Sequence, residues 1–317
     1  MSVAIRDPRF AAVVGDAVQF ECLGESFLFT EGPAWDARAQ RLIFSDIPGD
    51  TMYQWSRAGG VQIFRQPSNK ANGLTWDRVG RLLSCEHATS RVTRLEPDGA
   101  LTVLASHYEG KELNSPNDIV VRHDGAIYFS DPTYGRLEYF GVPRAPQLGF
   151  RGVYRVDCGF DSRIDGGANS GVGSGTDATG APPALLADDF AQPNGLCFSA
   201  DERELFVNDT ERMHIRVFGV RADGSLDGGR VWATLEGPGE GAPDGMKIDS
   251  AGNLYCCGPG GIHVFDRDAR CLGVIRVPRV AANFTWGEDG HSLFIAASEA
   301  LYRIRVRVPG IRVRVPG

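Results

Sequence analysis

Long apolar segments are absent from the sequence. Its first residues contain no apolar core of the kind found in signal peptides, and no run of about 18 apolar residues could form a transmembrane helix. The sequence also has no Gly-x-Ser-x-Gly motif, so a serine-hydrolase mechanism has no support. We therefore expect a protein without a membrane span.

An excess of basic charge is absent as well. The chain carries 33 Lys and Arg residues against 40 Asp and Glu residues, a formal net charge of −7, which argues against a nucleic-acid-binding protein. The seven cysteines form no CxxC pair, and an odd number does not fit a disulfide framework. We interpret them as reduced core residues of a cytoplasmic protein, with the adjacent Cys256 and Cys257 on opposite faces of one strand.

Long helical periodicity is the third missing feature, and no strong helix is predicted. The chain instead has 40 Gly, 18 Pro and many short apolar segments that alternate with polar residues. This composition is typical of short strands joined by tight turns. With 42% hydrophobic residues, the chain can bury a large core, and an all-β fold is predicted.

One hairpin pattern recurs along the chain. Its clearest copy opens at Asn117, passes through an apolar strand to a turn at Asp124 and Gly125, and ends with a second strand at Asp131. An Asp-Gly pair between apolar runs is a strong hairpin signal, because glycine readily adopts the positive φ that such turns need. Five copies and a weaker sixth open at Glu31, Asn72, Asn117, Asn194, Asp244 and Asn283.

The spacing between the first five copies is 41, 45, 77 and 50 residues. Strand repeats of about 40–50 residues are typical of β-propellers, so we predict a six-bladed β-propeller over residues 17–306. The longest interval contains a Gly-rich insertion at about residues 159–181, which we expect to be a mobile surface loop. Residues 17–29 and 301–306 are the strands predicted to close the ring.

The two ends of the chain lie outside the predicted propeller. Residues 1–16 are interpreted as an N-terminal extension. Residues 307–317 are interpreted as a duplicated tail, because the hexapeptide Arg305–Gly310 recurs as Arg312–Gly317. Simple duplication is favoured over a role in anion binding.

The residues that open the hairpin copies are expected to face a central channel, because equivalent positions of a radial repeat converge on its axis. The first five openers all carry side-chain oxygen atoms. For any single copy, an ordinary turn dipeptide is the simpler explanation, since Asn-Gly and Asp-Gly favour turns. Five copies in register, two of them carboxylates, favour a functional site at the axis.

Glu31, Asn117, Asn194 and Asp244 together offer two carboxylates and two amide oxygens. These hard donors suit Ca²⁺, Mg²⁺ or Mn²⁺ better than a metal that prefers soft ligands, although Zn²⁺ and Fe²⁺ also bind at oxygen sites. We expect one divalent metal ion in a central metal-binding channel, with Ca²⁺ favoured. The alternative is a polar channel filled with water.

Four motifs occur in a fixed order, each at the start of a predicted inner strand. They are Glu31–Trp35, Ser115–Asp118 with Tyr128–Gly135, Pro193–Gly195 and Pro243–Gly245. Together they resemble the gluconolactonase family, which is related to senescence marker protein 30 (regucalcin). The resemblance covers roughly residues 20–306 and implies a six-bladed propeller that hydrolyses sugar lactones with a divalent metal on Glu31, Asn194 and Asp244.

The resemblance also implies roles around the metal. Asn117 would be a fourth ligand or a substrate contact. Ser115 stands where a lactonase of the family has Arg, which leaves the sugar open, and Ser115, Asn72 and Tyr134 are candidate substrate contacts. Asp244 is the expected general base, partly on the resemblance. Because a cation lowers the basicity of a carboxylate, water activated by the metal is the alternative.

A small sugar lactone is the expected partner, and its ring would be opened to give the aldonic acid. The protein is expected to be a monomer or a weak homodimer that binds neither nucleic acid nor membrane. An organophosphate-hydrolysing metal propeller and a propeller that only binds a ligand are the alternatives. Two facing acids argue against a propeller that only binds a ligand. A pocket rich in hydrogen-bonding groups would favour a sugar substrate over an organophosphate.

Glu86 and His87 could offer acid–base chemistry. Acids recur at the ends of the hairpins, however, which favours a structural role for Glu86.

Overall fold

Strands form nearly all of the regular structure. The computed structural model describes residues 2–157 and 182–311, in which six antiparallel sheets are arranged as the blades of a propeller. The innermost strands of consecutive blades contact one another in a closed ring. The predicted six-bladed β-propeller is confirmed.

The first part of the chain contains three short elements and two blades. The short elements are β1 (Val3–Ile5), α1 (Arg9–Val13) and β2 (Glu21–Glu25). Blade 1 contains β3 (Thr30–Asp36), β4 (Arg41–Asp46), β5 (Thr51–Ser56) and β6 (Gly60–Arg65). Blade 2 contains β7 (Ala71–Trp76), β8 (Leu82–Glu86), β9 (Arg91–Leu95) and β10 (Leu101–Ala105). A small hairpin of β11 (His107–Tyr108) and β12 (Lys111–Glu112) follows.

The second part of the chain contains four blades. Blade 3 contains β13 (Ile119–Val121), β14 (Ile127–Asp131), β15 (Arg151–Val156) and β16 (Ala184–Phe190), with a 3-10 turn at Tyr134–Arg136. Blade 4 contains β17 (Pro193–Phe198), β18 (Glu204–Asp209), β19 (His214–Val220) and β20 (Leu226–Thr234). Blade 5 contains β21 (Met246–Ile248), β22 (Leu254–Gly258), β23 (Gly261–Phe265) and β24 (Cys271–Ile275). Blade 6 contains β25 (Ala281–Gly287), β26 (Ser292–Ala297) and β27 (Ala300–Arg305).

The six predicted hairpins are the inner two strands of the six blades. In each blade the innermost strand pairs with the strand that follows it in sequence. Gly125 has a φ of 89° in the turn between β13 and β14, which is the positive value that the Asp-Gly pair predicts.

Strands from the two ends of the chain close the ring. β2 pairs with β27, with Glu21 opposite Arg303, so blade 6 takes its fourth strand from the N-terminal part of the chain. This is the closure predicted from residues 17–29 and 301–306. Arg303 also makes an ion pair of 2.6 Å with Glu21.

The N-terminal residues add a fifth strand and a helix to blade 5. β1 pairs with β24 at the edge of that blade. α1 buries Phe10 and Val13, and Phe10 lies so close to Gly273 that a Cβ there would approach the ring within 2.6 Å. A helix of five residues is too short to show a periodicity, so the sequence did not predict it.

The core lies between neighbouring blades and is rich in aromatic rings. Phe44, Tyr128, Phe129 and Phe294 are fully buried. The six cysteines among the described residues are free. Cys256 and Cys257 lie in one strand and pack in different core clusters, as predicted. Cys22 is exposed on β2, so the interpretation of the cysteines as core residues is wrong for that one.

The first copy of the repeated hexapeptide belongs to the fold. Val306 is buried, the Val308 N–H donates to Val13 O, and the Gly310 N–H donates to Gly290 O. The second copy (312–317) and the Gly-rich insertion (159–181) lie outside the described residues. Within the described residues, no helix has the length and apolarity needed to cross a membrane.

Candidate metal and substrate site

Glycines behind the opening residues let the inner strands approach one another. A Cβ on Gly32 would lie 2.0 Å from Asn72 O, and one on Gly195 would lie 2.1 Å from Asp244 O. Both glycines lie inside strands, at shifts in the strand register. The alternative of an ordinary turn dipeptide is therefore wrong here, because close packing at the axis requires glycine.

Glu31 and Asp244 bring their carboxyl groups within hydrogen-bonding distance of each other. Glu31 is buried, and its Oε2 accepts hydrogen bonds from the Gly32 N–H and, at 2.9 Å, from Asn283 Nδ2. Burial, followed by the charge of Asp118, raises the pKa of Glu31 to about 7. Burial and the charge of Glu31 raise the pKa of Asp244 well above its usual range. Two acids this close favour a proton or a cation between them.

Asn194 joins this pair with a fixed orientation. Its Nδ2 donates to Thr210 Oγ1 at 3.2 Å, and that hydroxyl donates to Pro243 O at 2.6 Å. Asn194 also hydrogen-bonds to Asp244. Because its amide nitrogen is used in this way, Asn194 presents its Oδ1 as a free acceptor.

Tyr134 lies at the edge of the same group. Its hydroxyl hydrogen-bonds to Thr210, and burial, with the nearby charge of Asp244, raises its pKa to about 12. The phenol therefore stays protonated at neutral pH and donates to Thr210 Oγ1, because the Thr210 proton is donated to Pro243 O. Thr210 thus joins Tyr134 to Asn194, and Asn194 in turn bonds to Asp244.

Asn117 occupies the equivalent position at the start of blade 3. It is 4% exposed, and its side-chain amide has no hydrogen-bond partner among the described residues.

The next residue, Asp118, stands where blades 1, 2, 4 and 5 have glycine. Asp118 Oδ1 accepts from Ile119 N–H at 2.9 Å, while its buried Oδ2 has no partner among the described residues. Burial raises the pKa of Asp118, and the charge of Lys247 opposes this effect.

Asn72 opens blade 2 and pairs with a histidine. Its Nδ2 lies 3.2 Å from His87 Nε2, and His87 Nδ1 lies 3.0 Å from Phe140 O. His87 is fully buried, and this burial lowers its pKa to about 4. The ring is therefore neutral at neutral pH.

Ser115 is buried in the segment between β12 and β13. Its hydroxyl donates to Pro132 O at 2.6 Å and accepts from the Gly135 N–H at 3.0 Å. Both bonds hold the connection between β14 and β15. Because the hydroxyl is engaged inside the protein, the structure favours support of this connection over contact with a substrate.

The connection between β14 and β15, residues 132–150, carries Tyr134 and Phe140 to the site. Two arginines anchor it. Arg136 donates to Asn114 O at 2.6 Å and forms a 2.9 Å ion pair with Glu112, which also pairs with Arg144 at 3.3 Å. Since these bonds join the connection to β12 and to the segment that follows it, the aromatic residues have a fixed support.

Glu86 has the structural role predicted for it. The side chain is fully buried and forms ion pairs with Arg91 at 2.9 Å and Arg65 at 3.3 Å. It also accepts hydrogen bonds from Thr89 and Thr93. Its oxygen atoms are thereby occupied by neighbours on the strands.

The other end of the inner strands borders a second space. A cavity of about 510 Å³ is lined there by Trp35, Trp76, Phe198, Lys247 and Trp286, among others. None of the predicted site residues lines this cavity. The predicted residues thus cluster at one end of the channel.

The donor set fits a divalent metal. Within residues 2–157 and 182–311, no cluster of three or more His, Cys, Asp or Glu side chains could hold a metal ion. The candidate site does not depend on such a cluster, because Asn194 and Asn117 supply two of its four donors. Two facing carboxyls and the free Oδ1 of Asn194 are the hard oxygen ligands that divalent cations of this kind take.

Three contributors were given no role in the site from the sequence. Thr210 orients Asn194, Asn283 hydrogen-bonds to Glu31, and Asp118 adds a third buried acid. Asp118 had a detectable signal, since it replaces the glycine that follows the opener in four other blades. Thr210 follows the acid that ends the blade 4 hairpin, and nothing in the repeat marks that position.

The fold and this donor group define a class of protein, a six-bladed propeller with an oxygen-rich site at one end of its channel. Residues 29–299 match the SMP-30/Gluconolactonase/LRE-like region, and the chain belongs to this family. The family resemblance read from the four motifs is confirmed.

Relatives agree with this assignment. The gluconolactonase of Zymomonas mobilis is 30% identical over 326 residues, covering 96% of this chain and 85% of the relative. The solved structure of a gluconolactonase from Xanthomonas campestris is 34% identical, with a TM-score of 0.83 and coverage of 96% and 95% of the two chains. Regucalcin from Agrobacterium tumefaciens, a calcium-binding protein, is 18% identical, with a TM-score of 0.71 and coverage of 92% and 94%, a likeness of fold.

Proposed function

We propose that this chain is a divalent-metal-dependent lactonase that opens sugar lactones to the aldonic acids. Glu31, Asn194 and Asp244 would hold the metal, with Asn117 as a fourth ligand or a substrate contact. The observation that carries the proposal is the hydrogen-bonded contact between the Glu31 and Asp244 carboxyls, with Asn194 bonded to the same aspartate.

The related proteins support the choice of reaction. A gluconolactonase that is 30% identical across nearly the whole chain makes lactone opening the reaction to test first. A second relative, 24% identical over 84% of this chain, is a pentonolactonase of Haloferax volcanii, which supports an aldonolactone without fixing the ring.

When bound, a divalent cation at this site would act as a Lewis acid toward the lactone carbonyl. The residues of the chain supply the remaining functions. Glu31, Asn194 and Asp244 would hold the cation that faces the carbonyl group, and Asp244 would accept the proton of the attacking water. The same proton then returns to the ring oxygen as the ring opens, so that no net proton is consumed before the acid ionises.

Polar groups around the site favour a hydroxylated substrate over a phosphotriester. Asn117 has an uncommitted amide, and the hydroxyl oxygen of Tyr134, whose proton is donated to Thr210, can accept a hydrogen bond at the rim. Such groups match the hydroxyls of a sugar ring, whereas an apolar organophosphate would leave them unpaired.

The test is hydrolysis of D-glucono-1,5-lactone by protein stripped of metal with a chelator. Acid release is followed before and after separate addition of Ca²⁺, Mg²⁺, Mn²⁺, Zn²⁺ or Fe²⁺, with the spontaneous rate subtracted. We expect one or more ions to restore activity. Folded protein that hydrolyses neither this lactone nor an aldono-1,4-lactone with any ion would contradict the proposal.

A further inference from the structure

Asn72 and His87 form a buried pair on the blade 2 side of the site. Asn72 is 4% exposed and His87 is 1% exposed. His87 lies between two partners, with Nδ1 at 3.0 Å from Phe140 O and Nε2 at 3.2 Å from Asn72 Nδ2. His87 has no role in the proposed reaction, and its two hydrogen bonds are therefore not explained by that reaction.

The partners of His87 fix its protonation. A backbone carbonyl only accepts hydrogen bonds, so His87 Nδ1 must carry the proton that it donates to Phe140 O. Burial keeps the ring neutral, and Nε2 is then an acceptor. An acceptor there requires a donor on Asn72, which is the amide nitrogen. One carbonyl therefore determines the orientation of the Asn72 amide.

The amide oxygen of Asn72 is left for the channel. No described residue donates to Asn72 Oδ1, and this atom is not among the buried polar atoms that lack a partner, so it keeps contact with solvent. The residue stands in the ring of openers, and its backbone oxygen is already used by Ser45 at 2.9 Å. Asn72 thus presents an acceptor, and not a donor, at the site.

The surroundings make this orientation rigid. A Cβ on Gly135 would lie 2.8 Å from His87 Cβ and Cγ, so the connection 132–150 packs directly on the histidine. Phe140, which accepts from His87, also packs edge-on against Phe29, the residue before β3, with ring centres 5.1 Å apart. Rotation of the imidazole is therefore blocked by packing as well as by hydrogen bonds.

We propose that His87 is a positioning residue that holds Asn72 with its Oδ1 toward the substrate, so that the site selects lactones with a hydroxyl donor at this point. The inference rests on the proposed lactonase function and deepens it. A ring hydroxyl can donate to Asn72 Oδ1, whereas a bound deoxygenated lactone would displace the solvent from that acceptor and leave it unpaired.

The test compares two lactones of the same ring size, D-glucono-1,5-lactone and the hydroxyl-free δ-valerolactone. Asn72→Leu and His87→Leu are each expected to lower kcat/KM for gluconolactone about tenfold, mainly through a higher KM, because one hydrogen bond is lost. The value for δ-valerolactone should change by less than about twofold.

Three further variants separate positioning from a merely structural effect. The double variant Asn72→Leu/His87→Leu should be no worse than Asn72→Leu, since His87 acts only through Asn72. His87→Gln should restore most of the discrimination, because its amide can donate to Phe140 O and accept from Asn72. His263→Leu is the matched control, since His263 is also 1% exposed and bonded to a backbone carbonyl, Pro259 O, but on β23.

Each outcome decides between the two proposals. A wild type that hydrolyses neither lactone with any metal overturns the proposed function and this inference with it. An active wild type whose Asn72 and His87 variants keep the wild-type preference for gluconolactone overturns the inference alone. Equal loss on both lactones, with a fall in melting temperature beyond that of His263→Leu, assigns His87 to structure only and also overturns it.

Discussion

The two ends of the inner strands are chemically opposite. At one end the strands open with Glu31, Asn72, Asn194 and, just ahead of their strands, Asn117 and Asp244. At the other end they close with Trp35, Trp76, Phe198 and Trp286, which line the second cavity. Every blade contributes to both ends with the same pair of strands, so the difference arises from side chains alone.

The two ends also differ in whether their polar side-chain atoms have hydrogen-bond partners. At the opening end, amide groups are oriented by a histidine or a threonine and keep an oxygen free. At the closing end, the indole nitrogens of Trp35, Trp76 and Trp286 are buried without a hydrogen-bond partner among the described residues. One end keeps oxygen atoms free to bind a ligand, and the other surrounds a cavity with aromatic rings.

The largest expected effect is the loss of a carboxylate at the opening end. Glu31→Gln and Asp244→Asn are each expected to lower kcat/KM about 10³-fold, in the range found when a group that stabilises the transition state is removed. Steady-state kinetics with the activating metal provide the measurement. Glu202→Gln is the matched control, since Glu202 is a part-buried acid that lines the opposite cavity. A variant of Glu31 or Asp244 with full activity would contradict the assignment.

Next in size is the effect of pH on the metal-free protein. The pKa of Glu31 is raised from 4.5 to about 7, first by burial. Because the folded value is the higher one, the stability that protonation provides is fully present below about pH 4.5 and is lost as pH rises through about 7, amounting to about 3 kcal/mol.

A divalent cation would replace that proton. The rise in melting temperature on adding the activating metal should therefore be larger at pH 8 than at pH 5.5, as measured by thermal unfolding. Glu31→Gln should remove most of the dependence on pH. An equal rise at both pH values in the wild type would contradict this account of the two carboxyls.

Thr210→Val tests the orientation of Asn194. The change removes the acceptor of Asn194 Nδ2 and the partner of Tyr134, so we expect kcat/KM to fall about tenfold and metal affinity to weaken. Calorimetric titration with the activating metal measures the affinity. Thr75→Val is the matched control at the opposite cavity. Equal effects of both variants would remove Thr210 from the site.

The smallest expected effect belongs to the closing end. Trp76→Phe keeps an aromatic ring and removes an indole nitrogen that has no partner among the described residues. Activity should stay within about twofold of wild type, while the free energy of unfolding falls by about 1 kcal/mol through lost packing. A large fall in activity without loss of stability would show that both ends take part in function.

Much of the fold could be predicted because the hairpin is repeated. A single Asn-Gly pair is only a turn signal, but five openers in register identified the axis, and the spacing gave the number of blades. The helix at Arg9–Val13 could not be found, because its buried Phe10 and Val13 make sense only against blade 5. The packing of Val306 and Val308 was missed for the same reason.

The candidate site was predictable only where it belongs to the repeat. Glu31, Asn194 and Asp244 open the first, fourth and fifth copies, and the structure brings them together. Thr210 and Phe140 lie in connections that differ between blades, so no pattern relates them to the openers. Ser115 was a candidate because of its place in a motif, and only the structure shows that its hydroxyl is engaged by Pro132 and Gly135.

The pairing of β2 with β27 has a consequence for how the chain folds. Glu21 and Arg303 are neighbours in blade 6, although 282 residues separate them. Blade 6 cannot be completed until nearly the whole chain has left the ribosome, and until then the strand edges at the open ring are unpaired. Contacts so distant in sequence slow folding and leave intermediates prone to aggregation. Ring closure is therefore expected to be a late step, after synthesis of the last blade.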